Sequence, residues 1–182
     1  MYRLIDFVAA LFGLFFALPL FIVVLIIGYF DTGSPLFFQE RVGKNKKPFT
    51  LVKFRTMSVD TKSVASHLAS SASITKLGAF LRKTKLDELP QLWNVFMGDM
   101  SLVGPRPNLF NQEELIEARD SKNVYSVRPG ITGLAQIQNI DMSTPDKLAR
   151  TDAIMIKKMS LKNYFSFILK TVTGAGSGDA VK

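Results

Sequence analysis

Residues 7–30, FVAALFGLFFALPLFIVVLIIGYF, decide what kind of protein this is. These 24 residues include no charged side chain, and 17 of them are Leu, Ile, Val or Phe. At the insertion free energies of such residues, transfer of the segment into a bilayer is favoured by very roughly 5–10 kcal/mol. A helix covering a soluble core would carry a polar stripe, and this one has none. A secretory signal would have a shorter apolar region and a small-x-small cleavage pattern, which does not come after Phe30. The segment is therefore read as membrane-embedded. A straight helix of this length reaches about 36 Å, enough to cross a hydrocarbon core of about 30 Å. Pro19, however, stands near the middle and removes a backbone donor. Broken there, each half measures about 18 Å, close to the depth of one leaflet. A kinked spanning helix and a re-entrant helix-break-helix both satisfy these lengths.

The flanks orient the rest of the chain. Arg41, Lys44, Lys46, Lys47, Lys53 and Arg55 come soon after the apolar run, which keeps the remainder on the cytoplasmic side. Arg3 weakly favours the same side for the N-terminus, which suits the hairpin.

Across the chain, 23 Lys and Arg face 15 Asp and Glu, a formal charge of +8. That balance favours anionic partners such as phosphates or acidic lipid headgroups. The 0 Cys exclude disulfides, thiolate zinc sites and a cysteine nucleophile. No Gly-x-Gly-x-x-Gly or Walker pattern is present, so dinucleotide and P-loop chemistry are not indicated. The basic residues are scattered through turns with no reading helix or aromatic platform, so nucleic acid is not an expected partner.

Beyond the apolar run the patterning is mixed. Pro35–Gln39 and Phe49–Met57 read as extended pieces around a basic turn. Ser58–Ser73, with the sole His67, reads as a mobile excursion. Lys76–Lys85 has Leu77, Phe80 and Leu81 at helical spacing. A second helix is expected to start near Asp87 and end at Gly98-Asp99, with Leu89, Leu92, Trp93 and Phe96 on its apolar face. Ser101–Val103 is a short strand signal stopped by Gly104-Pro105-Arg106-Pro107. An acidic helix is expected over Asn111–Ser121, an extended or irregular piece over Ile131–Ile140, and a helix over Pro145–Met159. Leu161, Tyr164, Phe165, Ile168, Leu169 and Val172 fall on one helical face opposite Lys162, Asn163, Ser166 and Lys170. That is the pattern of an interfacial amphipathic helix, and equally of a helix packed on the core.

The expected fold is α/β but mostly helical: a re-entrant or spanning N-terminal membrane helix, then a small cytoplasmic domain with interfacial amphipathic helices and short strands. The expected division is 1–32 as a membrane-embedded helix broken near Pro19, 33–173 as a catalytic domain at the membrane surface, and 174–182 as a flexible tail.

Asp87 and Glu88 are the leading candidates for chemistry. Asp87 sits where an N-cap would, and Glu88 would complement the helix dipole, so a purely structural role accounts for both. A carboxylate at a helix N-terminus among cations also stays ionised, and can bind Mg²⁺ or attack phosphorus. Lys53, Arg55, Arg82, Arg106 and Arg128 form a second set. Each alone reads as a surface charge, whereas together, between rigid turns, they suggest a polyanion site. Arg106 lies between two prolines that restrict the backbone on either side.

Lys53-Phe54-Arg55-Thr56-Met57, Leu86-Asp87-Glu88-Leu89-Pro90-Gln91-Leu92-Trp93-Asn94-Val95, Gly98 to Pro107 and Val127 to Gln136 stand in an order that resembles the bacterial sugar transferases. These are the monotopic phosphoglycosyl transferases that begin glycan assembly on undecaprenyl phosphate, and this chain looks like their minimal catalytic form. The resemblance implies a covalent mechanism in which Asp87 attacks the sugar-side phosphate of a UDP-sugar and expels UMP. The carrier lipid then takes the sugar phosphate. It implies Mg²⁺ with Asp87 among its ligands, Glu88 as the second carboxylate, and Arg106 as a phosphate-gripping arginine. Lys53, Arg55, Arg82, Arg128 and Gln136 would complete the phosphate and substrate contacts. It implies a re-entrant helix in the bacterial inner membrane, among its lipids, with the catalytic domain on the cytoplasmic face. Leu18 stands where members commonly have Ser before the helix proline. Ile137-Gln138-Asn139-Ile140-Asp141 departs from their Val-Asn-Gly, so the sugar does not carry over. The alternative is a non-catalytic, membrane-anchored module that binds anionic lipid or phosphate. Neither the sugar nor the oligomeric state is specified at this level.

Overall fold

The structure, a computed structural model, describes residues 2–61 and 73–176. The chain is mostly helical with a few short strands, led by the long apolar helix α1 over Tyr2–Thr32. α1 is helical on both sides of Pro19 and through it, so the proline does not divide it into two separate helices. Proline removes one N–H, yet every other residue nearby has strong reason to stay helical, because an apolar surrounding offers the backbone no other partners. Among the described residues, α1 alone is long and apolar enough to cross a membrane.

The described residues divide into two compact units: 2–39 with 50–61 and 73–98, and 40–49 with 99–176. The boundaries fall within β1, Leu36–Val42, within β2, Pro48–Phe54, the two strands of one sheet, and after Gly98.

In the first unit, α1 is held along much of its length. Near its start, the Arg3 guanidinium donates to the carbonyl oxygens of Val95 and Phe96, the latter at 2.7 Å. Those carbonyls end α3, Gln91–Met97, which Gly98 closes in the left-handed conformation at φ 98°. Phe7 stacks on Phe96 with centroids 4.9 Å apart, and Leu92 fills the notch at Gly13. Further along α1, Val24 joins Phe54 and Leu81 in a core bordered by Phe21, Leu25, Leu36, Leu77, Leu86 and Leu89. Leu81 and Leu77 belong to α2, Lys76–Thr84, whose first turn is capped by the Thr75 hydroxyl accepting from Gly78 N–H. Gly78 lies so near the Thr56 carbonyl that an added Cβ would stand 2.0 Å from its oxygen. Most of the Ser58–Ser73 excursion, His67 included, falls outside the described residues. Its base is closed by the Met57–Ile74 bridge and by Ser58 N–H donating to Ser73 O at 3.0 Å.

In the second unit, β3, Ser101–Val103, pairs in parallel with β4, Gly130–Thr132, with Ser101 opposite Gly130 and Val103 opposite Thr132. The expected irregular stretch after Ile131 differs: β4 is followed by one helical turn, α5, Leu134–Ile137. Helices α4, Glu113–Asp120, and α6, Pro145–Lys157, meet over a core of Leu115, Ala135 and Leu148. Helix α7, Leu161–Val172, buries Tyr164 and leaves Phe165, Leu169 and Val172 exposed. Where the tail was expected to begin, Ala175 N–H donates to Lys170 O at 2.8 Å, and a Cβ on Gly176 would stand 2.6 Å from Gln136 O. Residues 174–176 are thus folded back on the second unit.

Candidate active site

Lys85 ends α2 in the left-handed conformation, φ 58°, with its N–H on the carbonyls of Arg82 and Leu81. A side chain in that region costs about 1–2 kcal/mol, and here it turns the chain sharply into Leu86-Asp87-Glu88. The expected helix start at Asp87, with Asp87 as its cap, is not what forms. Leu86–Glu88 is a 3₁₀ turn, and α3 begins at Gln91 with no side-chain cap. Pro90 supplies the reason. It has no N–H for the Leu86 carbonyl, so that carbonyl takes Leu89 N–H at 3.1 Å and the winding tightens. In a 3₁₀ turn, residues three apart eclipse. Leu86 and Leu89 therefore share a face, and both pack on the Val24–Phe54–Leu81 core. Asp87 and Glu88 lie between them, 2 % and 9 % exposed. Two carboxylates are thereby buried on a turn fastened to the long apolar helix α1 by its apolar neighbours.

Three expected cations share this unit. Lys53 is buried, its Nζ 5.7 Å from the centre of the Phe37 ring. Arg82 Nε donates to Thr56 Oγ1 at 2.9 Å, beside the backbone on which Gly78 rests. Arg55 is held locally through two of its three nitrogens. Its Nε donates to Ser34 O at 2.8 Å and its Nη2 to Ser34 Oγ and Leu36 O, tying down the turn after α1.

The second unit carries Arg106, Arg128 and Gln136. The β3–β4 crossing brings the two arginine segments together at backbone distance. Gly130 N–H donates to Pro105 O at 2.9 Å, Ser101 N–H to Pro129 O at 2.8 Å, and Gly104 N–H to Thr132 O at 2.8 Å. Only glycine permits this approach, since a Cβ on Gly130 would stand 2.0 Å from Gly104 N. Arg106 and Arg128 are each half-buried. The Gln136 amide Oε1 and Nε2 are buried and find no hydrogen-bond partner among the described residues, an arrangement that calls for a ligand or water.

A buried polar network, which no motif in the sequence announces, holds the Arg106 backbone. Arg119 is 1 % exposed and donates from Nε and Nη2 to Asp152 Oδ2 at 3.0 and 2.7 Å. Its Nη1 donates to Arg106 O at 2.9 Å and to Asn108 Oδ1 at 2.8 Å. Tyr125 Oη–H adds a bond to Asn108 Oδ1 at 3.0 Å. Burial pushes the Asp152 carboxyl above the usual carboxylate range, against the opposing pull of Arg119. Burial also raises the Tyr125 phenol, again opposed by Arg119. A signal was present: Asp152 lies with Leu148 and Met155 on one helical face, and Arg119 lies one turn beyond Leu115. A charge on an apolar face asks for a buried partner.

Oxygen donors suit Mg²⁺, which is commonly held by one or two carboxylates and completed by water and substrate phosphates. Among the described residues no cluster of three or more His, Cys, Asp or Glu offers another donor set. The adjacent Asp87 and Glu88 fit the requirement.

A long apolar helix fastened to buried carboxylates, in a chain that also presents a proline-framed arginine, defines a helix-anchored class of protein with groups suited to phosphate. The chain belongs to the bacterial sugar transferase family, whose family model matches residues 1–177. It is 35 % identical to the UDP-galactose-lipid carrier transferase of Erwinia amylovora over 93 % of this chain and 39 % of that protein. It is 38 % identical to the UDP-glucose:undecaprenyl-phosphate glucose-1-phosphate transferase of Caulobacter vibrioides, covering 93 % of this chain and 67 % of that protein. It is 39 % identical to the uncharacterized sugar transferase EpsL of Bacillus subtilis, over 87 % of this chain and 78 % of that protein. The chain thus spans about two fifths of the Erwinia protein.

Proposed function

We propose that the chain transfers a sugar 1-phosphate from a UDP-sugar to undecaprenyl phosphate, with Asp87 as nucleophile. The observation that carries this is the buried Asp87-Glu88 pair on a turn packed against the membrane helix. A soluble donor and a lipid acceptor must both reach one carboxylate, and only a site fastened to the bilayer meets both.

Asp87 Oδ attacks the sugar-side phosphorus, an O–P bond forms, and the bond to UMP breaks. A phosphate oxygen of the carrier lipid then attacks the same phosphorus, releasing the Asp87 carboxylate and leaving a lipid diphosphosugar. Splitting the transfer lets the two substrates react one after the other. Phosphoryl transfer asks mainly for positioning and charge neutralisation, which suits the guanidiniums of Arg106 and Arg128 and the amines and guanidiniums of Lys53 and Arg82. Mg²⁺, held by Asp87 with Glu88 beside it, would neutralise charge on the diphosphate when bound. Arg55 is assigned to the turn after α1 rather than to phosphate. The buried Gln136 amide is assigned to the substrate. The relatives' names differ over galactose and glucose, so the sugar is left to experiment.

We read α1 as re-entrant, bent at Pro19 where the Phe15 carbonyl loses its helical donor, with both ends on the cytoplasmic face of the inner membrane. Supporting this, residues from Arg3 and Phe7 to Val24 and Gly28 touch the same unit, which a helix leading away across the bilayer would not do. The chain has no cysteine, so Tyr2→Cys and Asp31→Cys can be labelled singly with an impermeant maleimide in inverted vesicles. Labelling of both from the cytoplasmic side is expected; protection of Tyr2→Cys would make the helix a spanning one.

For the reaction, detergent-solubilised protein with Mg²⁺, polyprenyl phosphate and a UDP-sugar panel is expected to release UMP, and Asp87→Asn to stop it. Release of UDP instead, or undiminished turnover of Asp87→Asn, removes the reading.

A further inference from the structure

Four consecutive carbonyls of the proline-framed loop are all turned inward and bonded. Pro105 O accepts from Gly130 N–H at 2.9 Å, and Arg106 O accepts from Arg119 Nη1 at 2.9 Å. Pro107 O accepts from Arg41 Nη1 at 3.2 Å, and Asn108 O accepts from Val42 N–H at 2.9 Å. The two prolines have no N–H and a fixed φ, so little backbone freedom remains on either side of Arg106. Two of the four donors are buried guanidiniums, Arg41 at 6 % and Arg119 at 1 % exposure. Burying a cation is expensive, and a buried ion pair adds little net stability compared with apolar packing. What the arrangement does supply is a loop whose shape is set before any ligand arrives.

We infer that Arg119, oriented by Asp152, is a positioning residue that presets the Arg106 loop for a nucleoside diphosphate. This rests on the reading of Arg106 as a phosphate contact. Arg119 bonds the backbone carbonyl of Arg106, so its hold acts on the main chain of the loop that carries the Arg106 guanidinium. Asn108 carries the same constraint one step further, because its Oδ1 accepts from both Arg119 and Tyr125. An arginine suits this task and a lysine does not. The fork reaches Asp152, Arg106 O and Asn108 Oδ1 together, whereas an ammonium on a flexible stem cannot hold all three. Fixing a loop in its bound shape improves affinity by removing the ordering cost from the binding step.

The test is a double-mutant cycle on the detergent-solubilised full chain, with uridine diphosphate as probe in Mg²⁺ buffer and the melting temperature followed in parallel. Arg106→Ala is expected to weaken binding about 10- to 100-fold. Arg119→Lys is expected to weaken it about 5- to 10-fold. The doubly substituted chain is expected to bind no worse than Arg106→Ala, because Arg119 then has no loop arginine left to position. A merely structural Arg119 would lower affinity by the same factor in both backgrounds, in step with the melting temperature. Additive losses, or unchanged affinity in Arg119→Lys, overturn the inference and leave the Arg106 reading standing. Unchanged affinity in Arg106→Ala, or no binding by the unsubstituted chain, overturns the Arg106 reading itself. If Arg119→Lys does not fold, Tyr125→Phe replaces it, with an expected loss of about threefold and the same criteria.

Discussion

The two units hold their functional groups by opposite means. In the first, Asp87 and Glu88 ride on a 3₁₀ turn whose flanking, half-buried leucines pack against a core shared with α1. In the second, Arg106 rides on a proline-framed loop tied by hydrogen bonds to buried arginines and to the backbone N–H groups of Gly130 and Val42. The contrast stems from where each group's partners lie. Apolar packing is nondirectional and tolerates an adjoining bilayer, since side chains that meet lipid and side chains that meet the core are chemically alike. A guanidinium that must meet phosphate in one orientation needs directional restraint, which hydrogen bonds supply.

The comparison is sharpened by substitutions that act on one anchor at a time. Gly130→Ala is expected to have the largest effect, above about 4 kcal/mol, because the new Cβ meets the Gly104 backbone and neither side can yield. Chemical denaturation, or failure to recover folded protein, reports it. Arg119→Met leaves Asp152 buried without its cation and is expected to cost about 3–5 kcal/mol. Adding Asp152→Leu to that chain should recover most of the stability while uridine diphosphate affinity stays low. Recovery of both would mean the polar anchor does no more than an apolar one. Leu81→Ala opens the apolar anchor and is expected to cost about 2–5 kcal/mol, with little dependence on salt. Thr75→Ala removes the cap of α2 for about 1 kcal/mol.

The smallest effect belongs to Asp146, whose carboxyl is held below its ordinary range by hydrogen bonds from Lys122 and Arg150. A lowered carboxylate stabilises the fold above its unfolded pKa and loses that contribution as pH falls through the folded one. Asp146→Asn should therefore lower stability slightly at neutral pH, with the two chains converging as pH falls below about 4. Midpoints in a pH series of thermal melts check it.

The same contrast explains what the sequence disclosed. The apolar anchor was legible because its elements are periodic: Leu77 and Leu81 announce α2, and residues 7–30 announce α1. The strands at 36–42, 48–54 and 101–103 were legible from their flanking turns. The 3₁₀ turn at Asp87 was misread as a helix start because Asp-Glu before an apolar run carries the signature of an N-cap. The competing fact, that Pro90 cannot serve the Leu86 carbonyl, acts three residues later. The polar anchor was missed for another reason. Arg119 and Asp152 each stand one turn from a leucine, but 33 residues separate them and nothing local pairs the two. Arg55 shows the converse. Its place in a motif suggests phosphate, whereas its Nε and Nη2 also fasten the turn at Ser34 and Leu36, which the motif does not announce.

The grip of Arg3 on the end of α3 has a consequence for biogenesis. Arg3 and Val95 lie 92 positions apart. At about 5–20 residues per second, the ribosome needs several seconds or more to make the second after the first. During that interval the apolar helix has left the tunnel and its docking partner does not exist. Newly made chains must therefore be delivered to lipid, or shielded by a targeting factor, before the unit that carries Asp87 can close.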